Sequence, residues 1–282
     1  LRSGGSDPAP ETTAFGPGAA EAAPARAEPL AASLDAPLGS PSAEALAQET
    51  IAAQPEPEPA AVEGSQVRAV ARPLPSAPRS LEQAAAQGDA VALYDLALQR
   101  IAADETSEGV ALLRRAAGQD LAMAQYRLAK LYERGEAGVP QDIRQARQWT
   151  ERAANNGNRR AMHDLGVFYA RGEGAPLDEQ AAFRWFRQAA DLGVTDSQYN
   201  LGVLYQQGRG VSADPAEALF WYLVAARNGD RDAQSRAAAV EQMLTQTQIE
   251  QTRARAQAFR PRAASARANG EFGARAWAAR AS

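Results

Sequence analysis

The sequence predicts an all-α protein: an α-solenoid of about four helix-turn-helix pairs flanked by disordered tails. Two observations carry this prediction. One pattern recurs about 36 residues apart, as Leu128-Ala129-x-x-Tyr132-x-x-Gly135, Leu165-Gly166-x-x-Tyr169-x-x-Gly172 and Leu201-Gly202-x-x-Tyr205-x-x-Gly208. A second follows each of them, as Trp149-x-x-x-Ala153-Ala154, Trp185-x-x-x-Ala189-Ala190 and Trp221-x-x-x-Ala225-Ala226. Two helical patterns per period describe helix pairs that cannot bury their apolar faces alone and so stack on their neighbours.

Composition divides the chain into three parts. Residues 1–79 hold most of the prolines and neither tryptophan nor tyrosine, and carry 10 acidic against 5 basic side chains. Runs such as Gln54-Pro55-Glu56-Pro57-Glu58-Pro59 bury too little apolar area to offset chain entropy, so this part reads as a disordered linker with one weak helical stretch at 43–53. Residues 80–240 hold all seven tyrosines and three of the four tryptophans and form the solenoid. Residues 241–282 form a C-terminal helix and an Arg-rich tail.

Structure is expected to begin at Ser80, which can cap a helix with Gln83 reaching back. A degenerate first repeat follows through Gly88, Leu96-Ala97 and Ala116-Ala117; it lacks the Tyr-x-x-Gly turn and the tryptophan, as befits a terminal cap with one face in water. In each full repeat, helix A presents small, large and aromatic groups on one stripe, such as Ala161, Leu165 and Tyr169. A glycine ends it, being the residue that tolerates a left-handed cap. Helix B starts at Asp178 in one repeat and at Asp214-Pro215-Ala216-Glu217 in the next, where aspartate is the N-cap and proline fits the first turn. It presents Ala182, Trp185 and Ala189 and closes at Gly193, with Gly157 and Gly229 equivalent. The loop 135–141 carries one extra residue. After Gly229 a partial repeat runs into a helix towards Phe259, with a break and capped restart at Leu244-Thr245-Gln246-Thr247. Beyond Pro261 the tail with Phe272 and Trp277 is loose unless it packs back on the solenoid.

The residues Gly193, Ser197, Leu201-Gly202, Tyr205, Gly208, Gly210-Val211, Asp214, Ala218, Trp221, Ala225-Ala226 and Gly229 resemble the Sel1-like repeat family, relatives of the tetratricopeptide repeats; serine for alanine at 197 is the one slip. The resemblance covers roughly residues 85–240. It implies a right-handed superhelix of helix pairs and an adaptor that binds protein on a concave face. The layout also resembles the extracytoplasmic end of alphaproteobacterial polar organelle development and localisation proteins: an acidic Ala/Pro linker, a few repeats, then an Arg-rich segment. That second resemblance implies a periplasmic module of a single-span inner-membrane protein concerned with cell polarity or the envelope, with any membrane span outside this chain.

Functional candidates follow from the helix A positions off the core stripe. By analogy with tetratricopeptide concave faces these are Tyr126, Arg127 and Lys130, then His163, Asp164 and Val167, then Tyr199, Asn200, Val203 and Gln206. Aromatics, amides and a few cations suit an extended peptide better than a polyanion. His163, the only histidine, reads either as a concave-face contact or as a solvated helix residue. The tryptophans and Tyr132, Tyr169 and Tyr205 read as packing. No cofactor, metal site or catalytic residue is expected. No cysteine is present, the Gly-x-Gly turns lack the strand and the Lys-Ser/Thr of a phosphate loop, and no nucleophile converges with a base. A nearly neutral core argues against nucleic acid. Protein is the expected partner, with peptidoglycan met by the arginine tail as the alternative and an envelope hydrolase as the rival from another class.

Overall fold

The structure, a computed structural model, describes residues 80–271. The linker at 1–79 with its helical stretch at 43–53, and the tail aromatics Phe272 and Trp277, lie outside the described residues.

All regular structure among the described residues is helical. A short α1 (Leu81–Ala86) leads into the degenerate pair α2 (Ala90–Ala102) and α3 (Thr106–Ala117). Three regular pairs follow: α4 (Ala122–Arg134) with α5 (Ile143–Asn155), α6 (Arg159–Arg171) with α7 (Glu179–Asp191), and α8 (Thr195–Gln207) with α9 (Pro215–Arg227). Then come α10 (Arg231–Glu241), α11 (Gln246–Ala258) and a single turn, α12 (Ala266–Asn269). As far as α10 each helix packs chiefly on its neighbours in sequence, the nearest-neighbour arrangement of a solenoid, whereas α11 returns to α9 and α12 to α4.

The local chemistry of the repeat explains its spelling. The first helix of each regular pair ends at Gly135, Gly172 or Gly208, all with φ near +70°, a conformation that costs glycine nothing. The chain then turns so that the backbone N–H of Asp142, Asp178 or Asp214 donates to the carbonyl of Tyr132, Tyr169 or Tyr205 at 2.9–3.0 Å. The same aspartate side chains accept from the first free N–H groups of α5, α7 and α9. Tyrosine, glycine and aspartate recur together because they build one turn.

Small meets large across each pair. A Cβ added to Gly166 would lie 2.7 Å from the Phe186 ring, and one added to Gly202 would lie 2.5 Å from the Tyr222 ring. Both rings are fully buried. At the equivalent place in α4 and α5 the pair is Ala129 and Thr150, a larger residue against a smaller one, and both are again fully buried.

The C-terminal segment packs back on the solenoid. Helix α10 stops at Glu241, and Thr245 restarts the chain with a capping box to Gln248. Helix α11 lies on α9, where Phe259 meets Phe220 and Trp221 edge-on with ring centroids 5.9 and 5.6 Å away. That cover buries Trp221 completely, whereas Trp149 and Trp185 are only half-buried. From Phe259 the chain runs back along the turns that close each pair. Pro261 lies against Gly193, and the Arg262 N–H donates to the Asp191 carbonyl at 2.7 Å. Asn158 Nδ2 donates to the Ala268 carbonyl at 2.8 Å, and the Arg159 N–H donates to Asn269 Oδ1 at 3.0 Å. Residues 259–271 thus form a strap across successive repeats.

Candidate functional site

Helices α2, α4, α6 and α8 each begin a pair, and their equivalent positions form rows along one side of the solenoid. Arg127, Asp164 and Asn200 make one row, Tyr126, His163 and Tyr199 a second, and Lys130, Val167 and Val203 a third. The structure treats their members differently. Tyr126, Arg127, Lys130, Asp164, Val167 and Gln206 are half-buried, the exposure expected of a groove lining. His163, Tyr199, Asn200 and Val203 are buried, and Val203 has no exposed surface at all. Successive repeats close over these four, so Val203 and Tyr199 belong to the core rather than to a surface.

The rows are tied by a polar network. Tyr126 Oη donates to Asp164 Oδ2 at 3.0 Å, and Lys130 Nζ reaches the same oxygen at 3.3 Å and Glu133 Oε2 at 2.6 Å. Burial, reinforced by the Asp164 carboxylate, pushes the Tyr126 hydroxyl well above its ordinary value, so it stays a donor. Burial alone would depress the Lys130 ammonium, but Asp164 and Glu133 outweigh it and hold it above its ordinary value. Asp164 is therefore committed to two groups of the preceding repeat, and α4 is locked to α6.

His163 corrects both sequence expectations: it is neither a solvated residue nor a surface contact. Its Nδ1 lies 2.8 Å from Ser197 Oγ, and its ring tilts against Phe186 with centroids 5.6 Å apart. Burial lowers its pKa against the opposing pull of Asp164 and Asp196, so the imidazole is neutral at pH 7. The one slip from the repeat pattern, serine at 197, is the hydrogen-bond partner of the one histidine. Serine, histidine and aspartate here do not constitute a nucleophilic site. Ser197 has no exposed surface, so its hydroxyl cannot reach a substrate. No cluster of three or more metal-binding side chains occurs among the described residues.

Sequence reasoning missed a second set of buried polar residues. Gln125 and Gln198, both buried, donate to the carbonyls of Ala117 and Ala190 in the preceding turn at 3.0 and 3.2 Å. Each accepts from an asparagine at the far end of its own pair, Asn156 or Asn228, at 2.9 Å. In the middle repeat the equivalent residues are Met162 and Leu192, which join one apolar cluster instead. The signal was present as a matched exchange, Gln with Asn or Met with Leu, between positions about 30 residues apart.

Several arginines at and before the C-terminal segment of the described residues are engaged within the molecule. Arg227 donates to the carbonyls of Ala256, Gln257 and Phe259. Arg253 pairs with Glu241, Arg255 with Glu217 and Arg262 with Asp191. No helix among the described residues is long and apolar enough to cross a membrane.

Comparison with known proteins gives three findings. Residues 122–158, 159–194 and 195–230 each match the Sel1 repeat profile. A Sel1 repeat protein from Oxalobacter formigenes superposes with a TM-score of 0.54 at 31% identity, over 57% of this chain and 48% of that one. Over 63 residues, 22% of this chain, the sequence is 43% identical to the localization factor PodJL of Caulobacter vibrioides. The chain thus spans about half of the solved relative, and the second match spans only 6% of PodJL.

Proposed function

We propose that the chain, which matches the Sel1 repeat profile three times over residues 122–230, is a non-enzymatic scaffold that binds a polypeptide along the rows of α4, α6 and α8. The observation that carries this reading is the half-buried, chemically mixed lining of Tyr126, Arg127, Lys130, Asp164, Val167 and Gln206. Such a lining offers cations, hydroxyl, amide and apolar surface within one peptide's reach, and it is held rigid by the Tyr126–Asp164–Lys130 network. Sel1 repeat proteins mediate protein–protein interaction, which supports a protein as the ligand. In this reading the chain is the extracytoplasmic, periplasmic module of a bacterial cell-polarity or envelope protein. The short stretch shared with the localization factor PodJL supports a role in localisation.

The test is recovery of binding partners from the native cells with two sets of variants. Val167→Asp and Gln206→Lys alter the half-buried lining, while Arg184→Glu and Gln188→Lys alter exposed positions of α7. The first set is expected to deplete at least one recovered protein tenfold and the second to leave it unchanged. Equal loss from both sets, or from neither, contradicts the assignment.

A further inference from the structure

The turns that precede α2, α4, α6, α8 and α10 each hold one residue in the left-handed conformation: Gly88, Asp120, Gly157, Gly193 and Gly229. Two of these turns lie under the strap. A Cβ added to Gly193 would lie 3.2 Å from Pro261, and one added to Gly157 would lie 3.6 Å from Ala268. From Pro261 to Ala268, a step of seven residues, the strap passes from one turn to the next. It advances towards the first pair, because Gly270 already reaches Met123 at the start of α4, where a Cβ would lie 3.2 Å from the Met123 Cε. The next turn in line is that of Asp120.

Asp120 breaks the run of glycines. Aspartate tolerates the left-handed region better than most side chains, and its carboxylate stands where Gly157 and Gly193 leave room for an apolar strap residue. It is exposed, and among the described residues it meets only neutral amides, Gln125 Nε2 at 3.2 Å and Asn156 Nδ2 at 3.5 Å. A segment crossing this turn therefore has to offer a cation rather than an alanine or a proline. Seven residues beyond Ala268 the sequence has Arg275. Residues 272–282 also hold Arg280 and no acidic side chain, so charge favours their approach to this turn. The turn is within reach. Five residues from Gly270 to Arg275 extend to about 17 Å, and Asp120 precedes Met123 by about one helical turn, roughly 5 Å. Trp277 follows Arg275 by two residues, as Gly270 follows Ala268. Gly270 meets the first helix of the pair that comes next along the strap. By the same offset Trp277 falls at the start of α2, beside the apolar cluster at whose edge Leu81 is half-buried.

We propose that residues 272–279 dock in cis as a continuation of the strap across the α3–α4 turn, with the Arg275 guanidinium on the Asp120 carboxylate and Trp277 against the start of α2. One segment then fastens the degenerate pair to the three regular pairs and fixes the spacing of their first helices.

The chain has no cysteine, so a spin-label pair can be placed at Ala111→Cys, exposed on α3, and at Ala279→Cys. Pulsed distance measurements on the full chain are expected to show a narrow population. It should be lost in Arg275→Glu, in Trp277→Ala and in Asp120→Asn, a change that keeps a residue tolerant of the left-handed turn. It should be kept in Arg267→Glu, an exposed control on the strap itself. Circular dichroism confirms that each variant folds. A broad distribution in the unsubstituted chain overturns the docking, and so does a narrow one that survives Arg275→Glu and Trp277→Ala. The narrow population should also persist when the labelled chain is diluted into excess unlabelled protein. Its loss on dilution would put the tail of a second copy in the site and overturn the cis assignment. None of these results touches the partner-recovery test, whose contrast between α7 and the rows does not depend on residues 272–282.

Discussion

Alanine normally stabilises a helix relative to glycine by roughly 0.5–1 kcal/mol, so Gly166→Ala in α6 is a sharp test of the packing. The added methyl would sit 2.7 Å from two carbons of the Phe186 ring, well inside contact distance. The ring cannot retreat, because it is fully buried and also packs on His163. Overpacking of this kind costs about 1–3 kcal/mol, which set against the helix gain leaves Gly166→Ala destabilised by up to about 2.5 kcal/mol. The first regular repeat already uses alanine with threonine, at Ala129 and Thr150. Gly166→Ala/Phe186→Thr should therefore be less destabilised than the two single changes added together, with a coupling of about 0.5–3 kcal/mol. Urea denaturation followed by circular dichroism measures the full cycle. If Gly166→Ala raises the midpoint, the ring has room and the packing argument fails.

Three further outcomes follow from the buried polar groups and the strap. The lowered pKa of His163 means that the unfolded chain binds its proton first, so stability is full above about pH 6.5 and falls as pH drops below it. The slope reaches at most about 1.4 kcal/mol per pH unit, and His163→Gln should remove that component from the pH profile of the melting temperature. Asn156→Leu strands the buried Gln125 amide and should cost about 1–3 kcal/mol, whereas the double change Gln125→Met/Asn156→Leu copies the Met162–Leu192 pair and should be nearly neutral. Phe259→Ala removes the half-buried ring over Phe220 and Trp221 and should cost about 2 kcal/mol. It should also speed hydrogen exchange at Ala268 and Asn269 by loosening the strap; unchanged exchange would show that the strap holds without its aromatic anchor.

The repeat made the helix pairs, their caps and their turns legible, because each rests on residues close together in sequence. Asp214 with Pro215, and Tyr205 with Gly208, declare themselves locally. What sequence reasoning did not reach was decided between repeats. His163 looked like a surface residue because its partner Ser197 lies 34 positions away and appears as a mere slip in the pattern. Trp221 and Trp149 share a repeat position, yet only Trp221 is sealed, since Phe259 covers it from outside the repeat. The strap was equally hidden, because its bonds go to helix starts and turn carbonyls, which carry no sequence signature. Among the candidate residues, identity alone could not separate Val167, which lines the rows, from its equivalent Val203, which the next repeat encloses.

The central claim, that partners bind along the rows of α4, α6 and α8, is tested most directly by site-specific photo-crosslinking in the native cells. A photoreactive amino acid at Val167 or Gln206 in the lining, or at Arg184 or Gln188 on α7, reports which face touches other polypeptides. The account predicts a discrete crosslinked partner from Val167 and Gln206 and none from Arg184 and Gln188. Crosslinks that form only from α7 would contradict it.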